Sequence, residues 1–315
     1  MPITITTWNV QNFAQSDQFY NQKLDFLITT LQALGSDVVA LQEILDPNAL
    51  QDLASGLNFH PIAATPDDRA NRVAFLTRSA PVESEQIDQW RLPQGVDVRA
   101  FDDNGNIEVL PQFSRPAFRI TVPHDGGQID VITAHLKSKL LTFAGNFSTS
   151  NETLRAHTAY FALERRAAEA TSLRQYVTDR LNANRDVILL GDLNDGPEAA
   201  TTEILYGPPG SQPRGPNDAT HAAGAFQRPD ADDARRLFNV TKLLPENVRW
   251  SRRHNGQNEL LDHILVSEGL MPRVNGLRQV PAMNILNDET PGLIGPHPTA
   301  GGEIPDHAPV IATFA

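Results

Sequence analysis

The feature that most constrains this chain is a series of short apolar runs, each closed or entered by a polar residue able to do chemistry. ITITTW (3–8) leads into Asn9, DVVALQ into Glu43 and IDVITA into His135. DVILLG leads into Asp192, with Asn194 two positions on; LLDHILVS contains Asp262, and Asp306-His307 stand directly before the last run. Such runs, alternating or wholly apolar, predict β-strands. A strand end is where a rigid sheet can hold side chains at fixed positions in a shared mouth. Taken singly, each group has an ordinary explanation: an Asn there is usually a turn residue, and a carboxylate beside a buried run needs only some partner. Their joint occurrence from position 9 to position 307 points to one site and one domain over 1–315.

Between these runs lie helical segments. Leu24, Leu27, Ile28, Leu31 and Leu34 share a face, with Ser16 or Asp17 as the expected cap and Gly35 as the expected stop. A long helix is expected from Glu152 to about Leu181. Further strands are expected at 72–77, 118–122, 129–135, 186–190, 260–267 and 309–314. DNGN at 103–106 is a turn signal for a hairpin. Long loops are expected at about 88–116, 141–152, 207–233 and 268–305. The whole reads as a mixed α/β chain.

Composition removes several function classes. The absence of cysteine excludes disulfides, thiolate metal sites and cysteine nucleophiles. No run approaches the roughly 18–20 apolar residues of a membrane span. The N-terminal stretch MPITITTWNVQNF lacks the basic and apolar regions of a signal peptide, the pattern of a cytoplasmic protein or of a mature form already processed. There is no Gly-x-Ser-x-Gly elbow and no Walker-type phosphate loop. The net charge of −12 means that any surface for a polyanion must be local. Carboxylates and amide oxygens are instead hard ligands for Mg²⁺, with Mn²⁺ or Ca²⁺ as alternatives, and such ions clamp phosphate oxygens. Histidines beside them can move protons or stabilise a phosphorane, and Asp262 can orient a histidine as in triad logic.

TWNVQNF, ALQEI, TAHLKSK, GDLND, LDHILVS and PDHAPV, spread over the chain, resemble the endonuclease/exonuclease/phosphatase superfamily, the deoxyribonuclease-I-like fold. The resemblance implies a four-layer sandwich of two mixed β-sheets flanked by helices. It implies Glu43 as the main metal ligand, with Asn9 and Asp306 beside the same metal. Asp192 and Asn194 would position the attacking water or hold a second metal, while His135 and an Asp262–His307 pair would contact phosphate or shuttle protons. Asp192 and His307 both remain candidates for the general base. Lys137 and Arg155 are the expected substrate contacts, within a positive field that also includes Lys139, Arg165 and Arg166. His135 stands where the AP endonucleases have tyrosine, so the chain looks closer to the deoxyribonuclease, extracellular nuclease and sphingomyelinase branches. The glutamate that supports this histidine in deoxyribonucleases has its counterpart here in Asn71, which cannot supply the same charge. The resemblance implies a monomeric metal-dependent phosphoesterase, with a nuclease preferred over an enzyme acting on a small phosphoester or phospholipid.

Overall fold

The computed structural model describes residues 2–102, 105–113, 115–125, 127–143, 148–206, 235–271, 273–274, 277–278, 282–287 and 304–314. Its architecture follows from which face each strand residue buries. In strand β2 (Val38–Ile44), Val38 and Ala40 face one apolar cluster while Val39 and Leu41 face another. Strand β10 (Asp186–Asp192) divides the same way, Ile188 and Leu190 to one side and Val187 and Leu189 to the other. Strands apolar on both faces must be covered on both, because each exposed apolar side chain forfeits its burial energy.

The result is four layers. One sheet has the order β17-β18-β1-β2-β4-β3, formed by β17 (Ala282–Ile285), β18 (Val310–Phe314), β1 (Ile3–Phe13), β2, β4 (Arg72–Thr77) and β3 (His60–Ala63). The other has the order β11-β14-β10-β9-β8-β5, with β11 (Leu237–Asn239), β14 (Asp262–Ser267), β9 (Gly127–His135), β8 (Ala117–His124) and β5 (Glu83–Ile87). Their facing sides share one core, in which Ile5, Val73 and Val310 meet Ile120, Val131 and Ile264. Helices α1 (Tyr20–Leu34) and α2 (Pro47–Leu57) cover the first sheet, and α3 (Glu152–Asn182) and α4 (Ala200–Tyr206) cover the second. This is the expected four-layer, deoxyribonuclease-I-like arrangement. Each sheet is antiparallel apart from one central parallel pair, β1–β2 in one and β9–β10 in the other. Among the described residues no helix is long and apolar enough to cross a membrane.

Local expectations hold unevenly. Gly35 ends α1 in the left-handed conformation, as a helix stop should. Neither Ser16 nor Asp17 caps α1, because the helix starts only at Tyr20; Asp17 accepts from the Phe19 N–H and pairs with Lys23 instead. Helix α2 was not expected, although Asp46 caps it and Pro47 opens it. The loop expected at 88–116 contains the hairpin β6 (Arg99–Phe101) and β7 (Ile107–Val109), whose turn residues 103 and 104 lie outside the described residues. The excursion at 268–305 contributes the short pair β15 (Arg273–Val274) and β16 (Leu277–Arg278) and the edge strand β17, paired with β18. The loop expected at 207–233 lies wholly outside the described residues, and residues 144–147 of the loop at 141–152 do as well.

Candidate active site

Register brings the polar strand ends together. Asp192, last in β10, is the cross-strand partner of His135, last in β9, and of Asp262, first in β14. Neighbouring strands lie about 4.8 Å apart, so three chemical groups stand side by side. Gly191 makes this possible: its φ is +135°, and a Cβ there would run into the Ala134 carbonyl. The facing sheet supplies Asn9 from β1 and Glu43 from β2. β1 breaks register just past Asn9, and β2 breaks it across Glu43 itself, whose φ is +64°. Such bulges re-aim a side chain that regular pleating would point elsewhere.

The sheets join through hydrogen bonds. The Asn9 Nδ2 donates to Glu43 Oε1 and to Asp192 Oδ2, each at 3.0 Å. Glu43 Oε2 accepts from the Asn12 N–H, and Asn9 Oδ1 from the Gln11 N–H. The His135 Nε2 is 3.4 Å from Asp192 Oδ2 and 4.0 Å from Glu43 Oε1. His307, just before β18, places its Nδ1 2.6 Å from Asp262 Oδ2 and its Nε2 4.0 Å from Asp192 Oδ2. The Trp8 indole N–H donates to the His307 carbonyl and fixes that corner. Asn194, left-handed at φ +55°, gives its N–H to Asp192 Oδ1 and its amide to the Leu136 carbonyl.

Burial and charge then assign protonation. Burial alone would discharge His307, but the charges of Asp262 and Asp192 and the Asp262 hydrogen bond raise its pKa to about 10. Burial pushes the Asp192 carboxyl up; the positive charge of His307 opposes this and Asp262 reinforces it, leaving it at about 7. His135 is held well below the usual histidine range by burial, then by the positive charges of Arg115, His307 and Lys137. At neutral pH the site therefore offers an imidazolium, a neutral imidazole and a carboxyl near its midpoint. Ligand atoms of Asp192, Asp262 and His307 lie within 4.8 Å of one another. The close His307–Asp262 bond takes one oxygen of Asp262 and leaves its Oδ1 buried without a hydrogen-bond partner.

Residues 6–284 match the Endonuclease/Exonuclease/phosphatase family. The chain belongs to that family. Human endonuclease/exonuclease/phosphatase family domain-containing protein 1 is 23% identical over 215 residues, which are 64% of this chain and 35% of that protein. The chain thus matches only about a third of that relative's length. Among solved structures, an endonuclease/exonuclease/phosphatase from Bacteroides vulgatus aligns over 100% of this chain and 99% of its own at TM-score 0.61 and 15% identity. D. rerio TDP2 complexed with single strand DNA product aligns over 100% and 99% at TM-score 0.57 and 18% identity. The human Nocturnin catalytic domain with bound sulfate anion aligns over 100% and 94% at TM-score 0.56 and 16% identity. At these identities the likeness establishes the fold.

Within this family member, Asn9, Glu43, His135, Asp192, Asn194, Asp262 and His307 form one connected cluster. Asp306 sits beside it but is turned to Arg252, with Nε 3.5 Å from its Oδ2. Arg155 is not brought to the cluster: it pairs with Glu152 at the exposed start of α3, roughly 16 Å along the helix from Arg166 at 1.5 Å per residue. The Lys137 ammonium turns to the carbonyls of Ser138 and Leu140, and burial, with Arg165 beside it, lowers its pKa to about 8. The expected positive field is largely spent internally, since Lys139 and Arg166 bind Asp195 and Arg165 binds Glu169. As expected of an amide in place of a glutamate, Asn71 leaves His135 unsupported: the His135 Nδ1 and the Asn71 Oδ1 are both buried without a hydrogen-bond partner. Two cations at the site escaped the sequence reading. Arg115 donates to the His135 carbonyl and pairs with Asp67, and Arg252 forms a β-bridge with His307. The available signals were an Arg-Pro at the head of β8 and the turn sequence RRHNGQ.

Proposed function

We propose that the protein is a divalent-metal-dependent phosphoesterase that hydrolyses phosphodiester bonds of DNA or RNA by attack of water. The observation that carries this reading is the Asn9 amide shared between Glu43 and Asp192, which joins the carboxylates of two sheets beside the Asp262–His307 pair. The donor set fits a hard cation: Glu43 and Asp192 oxygens converge on one amide, and the Asp262 Oδ1 beside them is buried without a hydrogen-bond partner. Glu43 would hold Mg²⁺, or Mn²⁺ or Ca²⁺, with Asn9 alongside; Asp306 would join by leaving Arg252. The ion would supply Lewis-acid charge against the phosphate oxygens.

The chain's own groups divide the remaining work. His307 is already protonated, so the general base is Asp192, which takes a proton from the attacking water. Asn194 fixes the Asp192 carboxylate through its N–H. Asp262 keeps the His307 Nε2 turned to the cluster, where its proton can pass to the leaving oxygen. Neutral His135 can donate one N–H to a phosphoryl oxygen. The DNA product held by D. rerio TDP2 and the sulfate held by human Nocturnin support a phosphoester reading on this scaffold.

A second reading, a phosphatase or phosphodiesterase for a small phosphorylated substrate or a phospholipid, is favoured by one observation, the net charge of −12. A panel of plasmid, single-stranded DNA, RNA, 4-nitrophenyl phosphate and sphingomyelin, run with Mg²⁺, separates the two. Cleavage of nucleic acid is expected. Turnover of the monoester or the lipid alone would overturn the nuclease reading.

A further inference from the structure

The His135 loop and the Asp192–Asp195 loop do not hold their spacing through the strands alone, because both leave the sheet at these residues. A buried arginine on α3 spans them. Arg166, 5% exposed, donates from Nε to Asp195 Oδ2 at 3.1 Å and from Nη1 to the Lys137 carbonyl at 3.0 Å. One turn on, Glu169, 2% exposed, accepts the Lys137 N–H at 2.7 Å. The same side of the helix therefore grips the His135 loop by both a carbonyl and an N–H. Asp195 is itself over-determined: Thr201 donates to its carboxylate, and its carbonyl lies 2.9 Å from His263 Nε2. Between the two gripped points lie the bonds that align the reacting groups, Leu136 N–H to the Asp192 carbonyl and Asn194 Nδ2 to the Leu136 carbonyl.

We propose that Arg166 is a positioning residue for hydrolysis, whose forked guanidinium sets the distance between His135 and the Asp192–Asn194 pair. The proposal rests on the phosphoesterase reading above. A guanidinium is needed because its two N–H groups reach the carboxylate and the carbonyl at once, and a lysine ammonium on a flexible stem cannot reproduce that fork. Arg166 reaches neither the metal-holding oxygens nor His307. Its loss should therefore alter how the reacting groups are aligned and leave substrate affinity unchanged.

The test compares the full chain with Arg166→Ala, Arg166→Lys and, as a control on a surface ion pair to Asp179 of the same helix, Arg91→Gln, using bis(4-nitrophenyl) phosphate and Mg²⁺. Arg166→Ala is expected to lower kcat about 10- to 100-fold, the usual effect of losing a group that orients a ligand, with KM unchanged. Free guanidinium at millimolar concentration should restore part of the rate to Arg166→Ala but not to the double variant Arg166→Ala/Asp195→Ala, which lacks the carboxylate acceptor. Arg166→Lys should stay well below the parent although it folds with the charge in place. An unchanged kcat in both Arg166 variants overturns the proposal, as does a loss that follows the unfolded fraction and gives no guanidinium rescue. If the parent hydrolyses no phosphoester, the function reading fails alone, and the clamp is judged by amide exchange. Faster exchange at Leu136, Lys137 and Asn194 in Arg166→Ala would support it, and unchanged protection would refute it.

Discussion

His307 keeps its proton at neutral pH because Asp262, with no exposed surface, lies 2.6 Å from its Nδ1. Replacing Asp262 with Asn keeps the shape and removes the charge. The His307 pKa should then fall from about 10, read from an NMR titration of the imidazole. Turnover should drop about 10²- to 10⁴-fold, the usual worth of a positioned acid or base. An unmoved His307 titration would remove the pairing from the mechanism. At this scale the sequence was most informative where a polar residue ended an apolar run, because register alone then carries it into the mouth; Asp192 between His135 and Asp262 is the clearest case. It was least informative for long cations. Arg155 and Arg115 are indistinguishable as letters, and only the placement of α3 and of the loop before β8 separates an exposed pair with Glu152 from a guanidinium against the His135 carbonyl.

At the scale of elements, β8, β9 and the C-terminal half of α3 are joined by a buried charge cluster around Asp130. Its carboxylate accepts from Arg119, Thr121, Arg180 and Arg185, and Tyr176 of α3 donates to Glu85 of β5. Burial pushes the Asp130 pKa up, but the hydrogen bonds from Arg185, Thr121 and Arg180 outweigh it, and the net shift is downward. A carboxyl whose folded pKa lies below its unfolded value of about 3.9 gives stability that is complete above that value and lost as pH falls through the folded pKa. Asp130→Asn should therefore cost about 3 kcal/mol at pH 7, the low end for breaking a buried ion cluster because Arg180 and Arg185 still reach solvent. In urea melts at pH 7 and pH 3 the gap between variant and parent should narrow at the lower pH. A constant gap would mean the charge does no work. Strands such as β4 were legible from apolar runs. Helix α2 and the hairpin β12 (Arg252–His254) with β13 (Gln257–Glu259) were not. The first is short and lacks the long Ala-, Leu-, Glu- and Arg-rich run that marks α3, and the second is made of polar residues that no burial pattern distinguishes from a loop.

For the whole molecule, the decisive property is that two similar sheets, each with one central parallel pair, present those pairs' ends to a common mouth. The order of the motifs along the chain then ceases to matter. Asn9 and Asp192 are 183 positions apart and share a hydrogen bond, and the last strand returns to pair with the first. The layered fold was implied by the family resemblance of motifs such as GDLND and PDHAPV, whereas the exact partners of each polar group required the three-dimensional register. The central claim is that this mouth holds a hard divalent cation and uses it on a phosphodiester. It is tested most directly by stripping the protein with a chelator and following hydrolysis of single-stranded DNA as Mg²⁺ is titrated back, with Glu43→Gln alongside. The account predicts no cleavage by the stripped protein, recovery with Mg²⁺, and weakened Mg²⁺ binding by calorimetry in Glu43→Gln. Full-rate cleavage by the metal-free protein would contradict it.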